Sequence, residues 1–289
     1  MKIKEILKWG HETLILSSSS ARLDAELLLA HVLRRPVTFL LAHDETELGL
    51  IALWRYKRFI GKRKQGMPVA YLVGHKEFYF LDFEVNRHVL VPRPDTETLV
   101  WAAIEYVKNA RSLDSASASL GMTTRFLLLD VGTGSGCIAI SVLKNVPELT
   151  AIATDISRNA LRVAKRNARK HGVAERIEFI HSDLLDNVPI ERLKKYDVIL
   201  TANLPYVPKN FSVNPETKFE PDSSLYGGHD GTEVYKRLME QLKTLQPRAI
   251  FIECFDFQKA ILATHFSGYE LKHTEPLTGQ ARMLYLERA

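Results

Sequence analysis

The sequence predicts an α/β protein in which a mostly parallel, doubly wound sheet follows a small N-terminal helical bundle. From residue 125 onward, short apolar segments alternate with segments of helical periodicity, which is typical of a parallel sheet covered by helices. Residues 1–75 show helical periodicity without such strands. The 289 residues, 46% hydrophobic and 25% charged, suffice for two domains with a sizeable core.

The helical bundle is predicted over residues 1–75. Apolar residues recur at helical spacing from Leu23 to Val32. A further helix is expected over residues 45–64, and Gly66 follows where that helix ends.

The net charge of +5 arises from the N-terminal part of the chain. Residues 1–65 contain twelve Lys or Arg against seven Asp or Glu, whereas the charges of residues 66–289 cancel. Such a surplus suits a surface that faces an anionic partner, for example an RNA-bearing complex. It equally suits a solvated helical surface, so composition leaves both interpretations open.

Composition also argues against several classes of protein. Cys137 and Cys254 have no CxxC partner and no His at zinc-ligand spacing, so we expect neither a disulfide scaffold nor a metal site. Glu5 and Lys8 interrupt the apolar N-terminal stretch, which argues against a signal peptide. No window approaches the roughly 18 apolar residues of a membrane span. We expect a cytoplasmic monomer without a membrane partner.

An alternating apolar pattern predicts a β-hairpin bridge over residues 76–95, with its turn near Asn86-Arg87-His88. The second domain, residues 96–289, is expected to begin with a helix over about Thr96–Lys108. Residues 109–124 are rich in Ser, Ala and Thr and lack periodicity, so a flexible surface loop is predicted there.

The sheet of the second domain is predicted from short, mostly apolar runs with helical segments between them. The expected strands are Phe126–Asp130, Thr150–Thr154, Ile177–His181, Tyr196–Thr201, Ala249–Glu253 and Met283–Glu287. The expected helices are Ile138–Lys144, Arg158–His171, Val234–Leu245 and Gln258–His265.

A glycine-rich turn follows the first strand, in the order Gly132-Thr133-Gly134-Ser135-Gly136. Glycines let the backbone turn sharply and approach a ligand without a side-chain clash. The usual alternative interpretation of such a turn is that it binds a dinucleotide cofactor. The G-x-G-x-G spacing differs from the dinucleotide pattern G-x-G-x-x-G, and it favours S-adenosylmethionine as the cofactor.

Acidic residues stand at or near the ends of successive strands. Asp155 lies 19 residues after Gly136, where its carboxylate can accept both ribose hydroxyl hydrogens. Asp183 is expected to end the strand after that of Asp155, where it could face the adenine amino group. Taken singly, either residue could merely cap a helix. Together with Asp130, they mark three successive strand ends, the edge where such sheets bind ligands.

The tetrapeptide Asn203-Leu204-Pro205-Tyr206 follows a fourth strand and suits a planar nitrogen acceptor. The Asn203 side-chain oxygen and the Leu204 carbonyl can accept the two hydrogens of an amide nitrogen and position it for attack on a methyl group. Pro205 fixes the turn, and Tyr206 can stack on the planar group. The product can lose its proton after transfer, so no strong base is needed. An ordinary strand-ending Asn-x-Pro turn is the alternative.

Further segments carry a resemblance to a known family. They are Leu23–Leu33, Pro68–Gly74, Glu77–Tyr79, Val89–Glu97, Phe219–Pro221, Gly227–Gly231, and Glu253 with Gln258. With the glycine turn and the tetrapeptide, they make nearly the full chain similar to the HemK/PrmC family, the release factor glutamine methyltransferases.

This resemblance implies a class I, Rossmann-like methyltransferase domain and an N-terminal domain that recognises the substrate. The implied reaction methylates the glutamine of the Gly-Gly-Gln loop in class 1 peptide-chain release factors and leaves S-adenosylhomocysteine. By position, the implied cofactor-binding residues are Gly132, Thr133, Gly134, Ser135, Gly136, Asp155, Asp183, Leu184 and Asn203. The glutamine side chain would be bound by Asn203, Leu204, Pro205 and Tyr206, with Asn203, Pro205 and Tyr206 as the catalytic residues.

One departure keeps a second function open. The family usually has Asn-Pro-Pro-Tyr, and Leu204 replaces the first proline. Asn-Leu-Pro-Tyr also resembles the motif of ribosomal RNA adenine dimethyltransferases, so a nucleic-acid adenine N6-methyltransferase is the alternative. The zero net charge of residues 66–289 argues against phosphate tracking, and no direct nucleic-acid contact is expected. A third hypothesis is that the chain is a non-catalytic binding module, but the intact glycine turn argues against it.

Overall fold

The computed structural model describes residues 1–117, 125–266, 268–272 and 282–289, and the side chains of 112–117 are not included. The chain forms two compact units. The first contains Met1–His75 together with Val213–Phe219, and the second contains Lys76–Ser212 with Glu220–Ala289.

The first unit is helical, as its periodicity predicts. Its helices are α1 Ile3–Leu14, α2 Ala21–Leu33, α3 Val37–Ala42, α4 Leu50–Lys64 and α5 Val69–Val73. The helix predicted over 45–64 therefore begins five residues later than expected. Side chains such as Ile6, Leu28 and Tyr56 are fully buried between these helices.

A buried ion cluster explains why Val213–Phe219 belongs to the first unit. The guanidinium of Arg63, 2% exposed, donates to Asp24 Oδ2 at 2.6 Å and to Glu216 Oε1 at 2.5 Å. Two carboxylates thus compensate a cation that would be costly to bury alone. Removing Arg63 would leave Asp24 buried without its counter-charge.

A hairpin forms in the predicted region, but the position predicted for its turn is wrong, and no strand forms at Val89–Val91. The strands are β1 His75–Phe78 and β2 Leu81–Glu84, so the turn lies at Tyr79 and Phe80. Both turn residues have positive φ, 48° and 60°, as a two-residue hairpin loop requires. Asn86-Arg87-His88 instead forms a separate turn beyond the hairpin, in which the Asn86 side chain accepts from the backbone of His88.

The expected loop over 109–124 is also wrong in its first half. Helix α6 runs from Thr96 to Ser117 rather than ending near Lys108. The segment from 109 to 117 contains neither Gly nor Pro, and its alanines favour a helix. The remainder of the predicted loop, 118–124, lies outside the described residues.

Within the described residues, seven strands form one sheet in the order β5-β4-β3-β6-β7-β9-β8. Strands β3 to β7 are parallel, and β9 is antiparallel to both of its neighbours. The strands are β3 Phe126–Val131, β4 Thr150–Asp155, β5 Ile177–His181, β6 Asp197–Ala202, β7 Ala249–Glu253, β8 Tyr269–Lys272 and β9 Met283–Arg288. The helices are α7 Cys137–Asn145, α8 Arg158–Lys170, α9 Ile190–Leu193, α10 Glu233–Leu242 and α11 Asp256–Ala263. The predicted α/β class is confirmed; β8 and α9 were not predicted.

Helices cover both faces of this sheet. All six residues of β3 are buried, and the five apolar ones alternate between two apolar clusters. Leu128 packs in the cluster that includes residues of α6 and α7, whereas Leu129 packs in the cluster that includes residues of α10. No helix among the described residues is long and apolar enough to cross a membrane.

The strand order reverses between β3 and β6. From β3 the chain adds β4 and β5 on one side, then crosses to β6 and β7 on the other. Val131 pairs with Ala202 in the register of β3 and β6, so Gly132 and Asn203 leave the sheet side by side. Open parallel sheets bind ligands beyond the carboxyl ends of their strands at such a switch point.

Candidate active site

The glycine turn has the backbone geometry that only glycine adopts without strain. Gly132, Gly134 and Gly136 have φ values of +73°, +56° and +82°. A Cβ on Gly132 would lie 2.6 Å from Cδ2 of Leu204, and one on Gly136 would lie 3.2 Å from Cβ of Ala164 on α8. A Cβ on Gly134 would meet nothing within 4 Å, so open space adjoins the turn at this residue.

Asp130 anchors the turn from within the core. Its carboxylate accepts hydrogen bonds from the hydroxyls of Thr133 at 2.6 Å and Thr201 at 2.8 Å. Complete burial raises the pKa of Asp130 to about 6, although both hydroxyls favour the charged form. Asp130 therefore fixes the start of the turn and the end of β6.

Asp155 is held beside the turn by two backbone donors. The N–H of Gly134 donates to Oδ2 at 2.9 Å, and the N–H of Ser157 donates to Oδ1 at 2.7 Å. Burial raises the pKa of Asp155 above its usual range. A carboxylate oxygen has two lone-pair directions, so each can still accept a bond from a ligand.

Asp183 and Leu184 lie beyond β5 rather than at its last residue. The Asp183 carboxylate pairs with the Arg237 guanidinium at 2.6 Å. Leu184 has a positive φ of 49°, which is uncommon for a residue with a branched side chain, and its side chain is buried. Backbone strain of this kind tends to cluster at ligand-binding positions.

Asn203 is held by its amide nitrogen. Nδ2 donates to Oγ1 of Thr96 and to Oε2 of Glu253, each at 3.0 Å. Its Oδ1 accepts no hydrogen bond from the described part of the chain, and neither does the carbonyl oxygen of Leu204. Two acceptors are thus available at adjacent positions of the tetrapeptide.

Leu204 and Tyr206 are fixed by buried neighbours. The N–H of Leu204 donates to the hydroxyl of Tyr235 at 3.1 Å. That hydroxyl in turn donates to the backbone carbonyl of Glu253, at 2.6 Å. The hydroxyl of Tyr206 donates to Oε1 of Glu253 at 2.7 Å, and its ring meets that of Phe255 edge to face. Burial raises the pKa of Tyr206 far above its usual range, so the hydroxyl remains a donor.

Two glycines after the tetrapeptide pack directly against its backbone. A Cβ on Gly227 would lie 2.3 Å from the carbonyl oxygen of Pro205. A Cβ on Gly231, whose φ is +78°, would lie 2.1 Å from the carbonyl oxygen of Tyr206. Gln258 Nε2 also donates to this Tyr206 oxygen, at 2.8 Å. These glycines therefore permit a close approach of two segments.

One cavity of about 320 Å³ joins most of these residues. Of the residues selected from sequence, it is lined by Gly132, Thr133, Gly134, Ser135, Asp155, Asp183, Leu184, Asn203, Leu204 and Pro205. Gly136 and Tyr206 do not line it: Gly136 packs against Ala164, and Tyr206 is held by Glu253.

Sequence reasoning missed three residues that organise the site. Thr96 and Glu253 entered only as parts of family-like segments, without a role, and Tyr235 was not singled out. A signal for Glu253 was present, because a carboxylate ends the apolar run Ala249–Glu253 at the ligand-binding edge of the sheet. No comparable signal marked Tyr235.

The volume and the lining residues of the cavity suit a ligand such as S-adenosylmethionine. Its volume lies within the usual range of ligand pockets, about 300–1,000 Å³. Thr154 is one of the lining residues, and its buried Oγ1 finds no hydrogen-bond partner among the described residues. Open space at Gly134 allows a close approach of such a ligand, and the Asp155 carboxylate beside it offers polar contacts.

Two family descriptions match the chain: "PrmC N-terminal domain" over residues 5–74 and "Methyltransferase small domain" over residues 109–211. Among solved structures, the hMettl16 catalytic domain in complex with MAT2A 3′UTR hairpin 6 is similar, with a TM-score of 0.54 and 16% identity. The match covers 76% of this chain and 80% of that one, and it shows the shared fold.

Curated relatives cover nearly the whole chain. The bifunctional methyltransferase of Rickettsia felis is 31% identical over 98% of the chain, but the chain spans only 57% of that relative. It spans similar or smaller shares, 43–57%, of the other Rickettsia bifunctional methyltransferases that it matches.

Two relatives of similar length carry the family assignment. The release factor glutamine methyltransferase of Rhodopirellula baltica is 35% identical over 94% of the chain and 91% of its own length. The protein of the same name from Koribacter versatilis is 38% identical over 81% of the chain and 78% of its own length. The chain belongs to the release factor glutamine methyltransferase family.

Proposed function

We propose that the protein transfers a methyl group from S-adenosylmethionine to the side-chain amide nitrogen, N5, of the glutamine in the Gly-Gly-Gln motif of class 1 peptide-chain release factors. The observation that carries this proposal is the pair of available acceptors, Asn203 Oδ1 and the Leu204 carbonyl, beside the glycine turn. The names of the relatives at 35–38% identity support the choice of substrate.

The proposed cofactor site consists of Gly132–Ser135, Asp155, Asp183, Leu184 and Asn203, and Gly136 is proposed to shape the turn from outside the cavity lining. The Asp155 carboxylate is proposed to accept the ribose hydroxyl hydrogens, since both of its oxygens are already oriented by backbone donors. Leu184 is proposed to pack against the adenine. When bound, the cofactor supplies an electrophilic methyl group on a sulfonium.

Asn203 and Leu204 are proposed to hold the acceptor. Asn203 Oδ1 accepts one hydrogen of the glutamine amide, and the Leu204 carbonyl accepts the other. Two fixed acceptors orient the nitrogen and favour the positive charge that develops on it during transfer. Pro205 fixes the turn. Tyr206 lies outside the cavity lining with its hydroxyl held by Glu253, and its ring is proposed to support the planar amide from that position.

No general base is required in this scheme. The methylated amide nitrogen, while still protonated, is strongly acidic, so its proton is lost to solvent after transfer. Among the described residues, no His forms a hydrogen bond with the tetrapeptide, although His88 lines the same cavity. The protein's contribution is therefore orientation and electrostatic stabilisation.

The remaining proposals concern the setting of the reaction. Residues 1–75 are proposed to recognise the release factor, because the chain matches the N-terminal domain family over 5–74. We propose a cytoplasmic monomer that acts on free or ribosome-associated release factor without direct contact to nucleic acid. The product is S-adenosylhomocysteine.

A parallel transfer assay tests the proposed function. Purified protein and methyl-labelled S-adenosylmethionine are incubated with a class 1 release factor, with a variant whose Gly-Gly-Gln glutamine is replaced, and with unmethylated small-subunit ribosomal RNA. We expect label on the release factor alone, lost in the glutamine variant. Label on the RNA would instead assign the chain to the adenine N6-methyltransferases.

A further inference from the structure

Glu253 is the common partner of the residues around the acceptor tetrapeptide. It ends β7, is 3% exposed, and its carboxylate accepts three hydrogen bonds. Oε2 accepts from Thr96 Oγ1 at 2.5 Å and from Asn203 Nδ2 at 3.0 Å, and Oε1 accepts from the Tyr206 hydroxyl at 2.7 Å. The first residue of α6 and both polar ends of the tetrapeptide are therefore joined at one carboxylate.

This arrangement permits only one orientation of the Asn203 amide. Thr96 has a single hydroxyl hydrogen, which it donates to Glu253, so towards Asn203 it can only accept. Both partners of the Asn203 nitrogen are thus acceptors. A flipped amide would place Oδ1 against a carboxylate oxygen and a hydroxyl lone pair, and it would lose both hydrogen bonds.

The orientation matters because the nitrogen of the amide donates hydrogen bonds, whereas its oxygen accepts them. With Nδ2 bound to Glu253 and Thr96, the oxygen is left to accept a hydrogen from the substrate. In the flipped state, Asn203 would present hydrogens to a substrate nitrogen that itself carries hydrogens. The acceptor amide would then be repelled rather than positioned.

We propose that Glu253 is a positioning residue for methyl transfer, because it locks the Asn203 amide with its oxygen towards the acceptor. This inference rests on the proposed function of Asn203 as the residue that holds the acceptor nitrogen. Glu253 acts through Asn203 and does not touch the substrate. The lock needs an acceptor oxygen at the Oε2 position, whereas the net charge of the side chain is secondary.

Two substitutions separate orientation from charge. Glu253→Gln can keep an oxygen towards Thr96 and Asn203 while its amide donates to the Tyr206 hydroxyl, so it preserves the lock without the charge. Glu253→Met has a similar length and no acceptor oxygen, so it releases the lock. We expect kcat within about threefold of wild type for Gln and about 100-fold lower for Met, with the cofactor Kd unchanged in both.

A double-mutant cycle with Asn203→Ala tests whether Glu253 acts through Asn203. We expect Glu253→Met to change kcat by less than about threefold when Asn203 is already absent, since coupled residues are non-additive. Wild-type kcat in Glu253→Met would overturn the proposal, and so would a loss of kcat in Glu253→Gln as large as that in Glu253→Met. It would also be overturned if the kcat losses of Glu253→Met and Asn203→Ala multiplied fully in the double mutant.

Hydrogen exchange tests the orientation of the Asn203 amide in the wild-type protein and requires no substrate. Hydrogen exchange of the Asn203 side-chain amide is followed by NMR in the ¹⁵N-labelled wild-type protein, with its signal identified by its loss in Asn203→Ala. We expect exchange at least about tenfold slower than for exposed Asn210, because two hydrogen bonds protect the Asn203 nitrogen. Exchange as fast as that of Asn210 would overturn the proposal. Slow exchange in a protein that methylates no release factor would leave the fixed orientation of the Asn203 amide intact and refute the proposed function.

Discussion

Gly231→Ala tests how closely the 227–231 segment supports the acceptor tetrapeptide. Gly231 has a φ of +78°, and an added Cβ would lie 2.1 Å from the carbonyl oxygen of Tyr206. Ordinary contacts begin near 3.4 Å, so one of the two segments must retreat by about 1 Å. The left-handed backbone costs about 1–2 kcal/mol with a Cβ, and overpacking adds about 1–3 kcal/mol.

Gly172→Ala is the matched control. Its φ is +69°, but an added Cβ would meet nothing within 4 Å, so it isolates the backbone cost of about 1–2 kcal/mol. Urea unfolding measures stability, and single-turnover methyl transfer measures activity. We expect near wild-type transfer in Gly172→Ala and a loss of about 100-fold in Gly231→Ala, since a 1 Å shift near reacting atoms has this effect. Transfer within twofold of the control would refute the reasoning.

Three further predictions follow from the site. Asn203→Ala should lower turnover by about 100-fold or more, measured by initial rates, while the cofactor Kd measured by calorimetry stays near wild type, because Asn203 mainly contacts the acceptor and only borders the cofactor site. Unchanged turnover would show that Asn203 does not bind the acceptor. Asp155→Ala should weaken cofactor binding by about 2 kcal/mol in calorimetry, and equal affinity would contradict the ribose contact. Burial raises the pKa of Asp130 to about 6 from a usual 3.8, so the folded state keeps a proton that the unfolded chain loses. Its contribution to stability is therefore present at low pH and falls by about 1.4 kcal/mol per unit as pH rises from about 4 to 6. Denaturant titrations between about pH 4 and 6 should show that Asp130→Asn lacks this fall in unfolding free energy. The same fall in the variant and in wild type would show that Asp130 is not its source.

The inner strands of the sheet were predictable because they are buried on both faces. Every residue of β3 and β7 is buried, which leaves a continuous apolar run in the sequence. The glycine turn was predictable because positive φ at three alternate positions requires glycine. Local chemistry specifies both features without help from distant residues.

The hairpin turn was not predictable from local chemistry. Positive φ at two successive positions usually demands Asn and Gly, yet Tyr79 and Phe80 occupy them. The N–H of Tyr79 donates to the Glu97 carboxylate at 2.9 Å, a contact from outside the hairpin. Tertiary structure therefore overrides the local preference, while Asn86-Arg87-His88 carries the residues that favour a turn.

The candidate site was predictable in its strand-end residues but not in their support. Asp155 ends β4, Asn203 follows β6, and both belong to recognisable motifs. The partners of Asn203 are 107 and 50 positions away in sequence, at Thr96 and Glu253. Such pairings depend on how α6 and β7 meet at the sheet edge, and no local pattern encodes them. The requirement for Gly231 has the same origin, since the atom it accommodates belongs to Tyr206.

The central claim is that the site holds a glutamine amide nitrogen for methylation. Its most direct test is mass spectrometry of a class 1 release factor after incubation with the protein and S-adenosylmethionine, with fragmentation of the peptide that contains Gly-Gly-Gln. The account predicts one added methyl group on the side-chain nitrogen of that glutamine, and none when the protein carries Asn203→Ala. A release factor that remains unmodified, or a methyl group on any other residue, would contradict it.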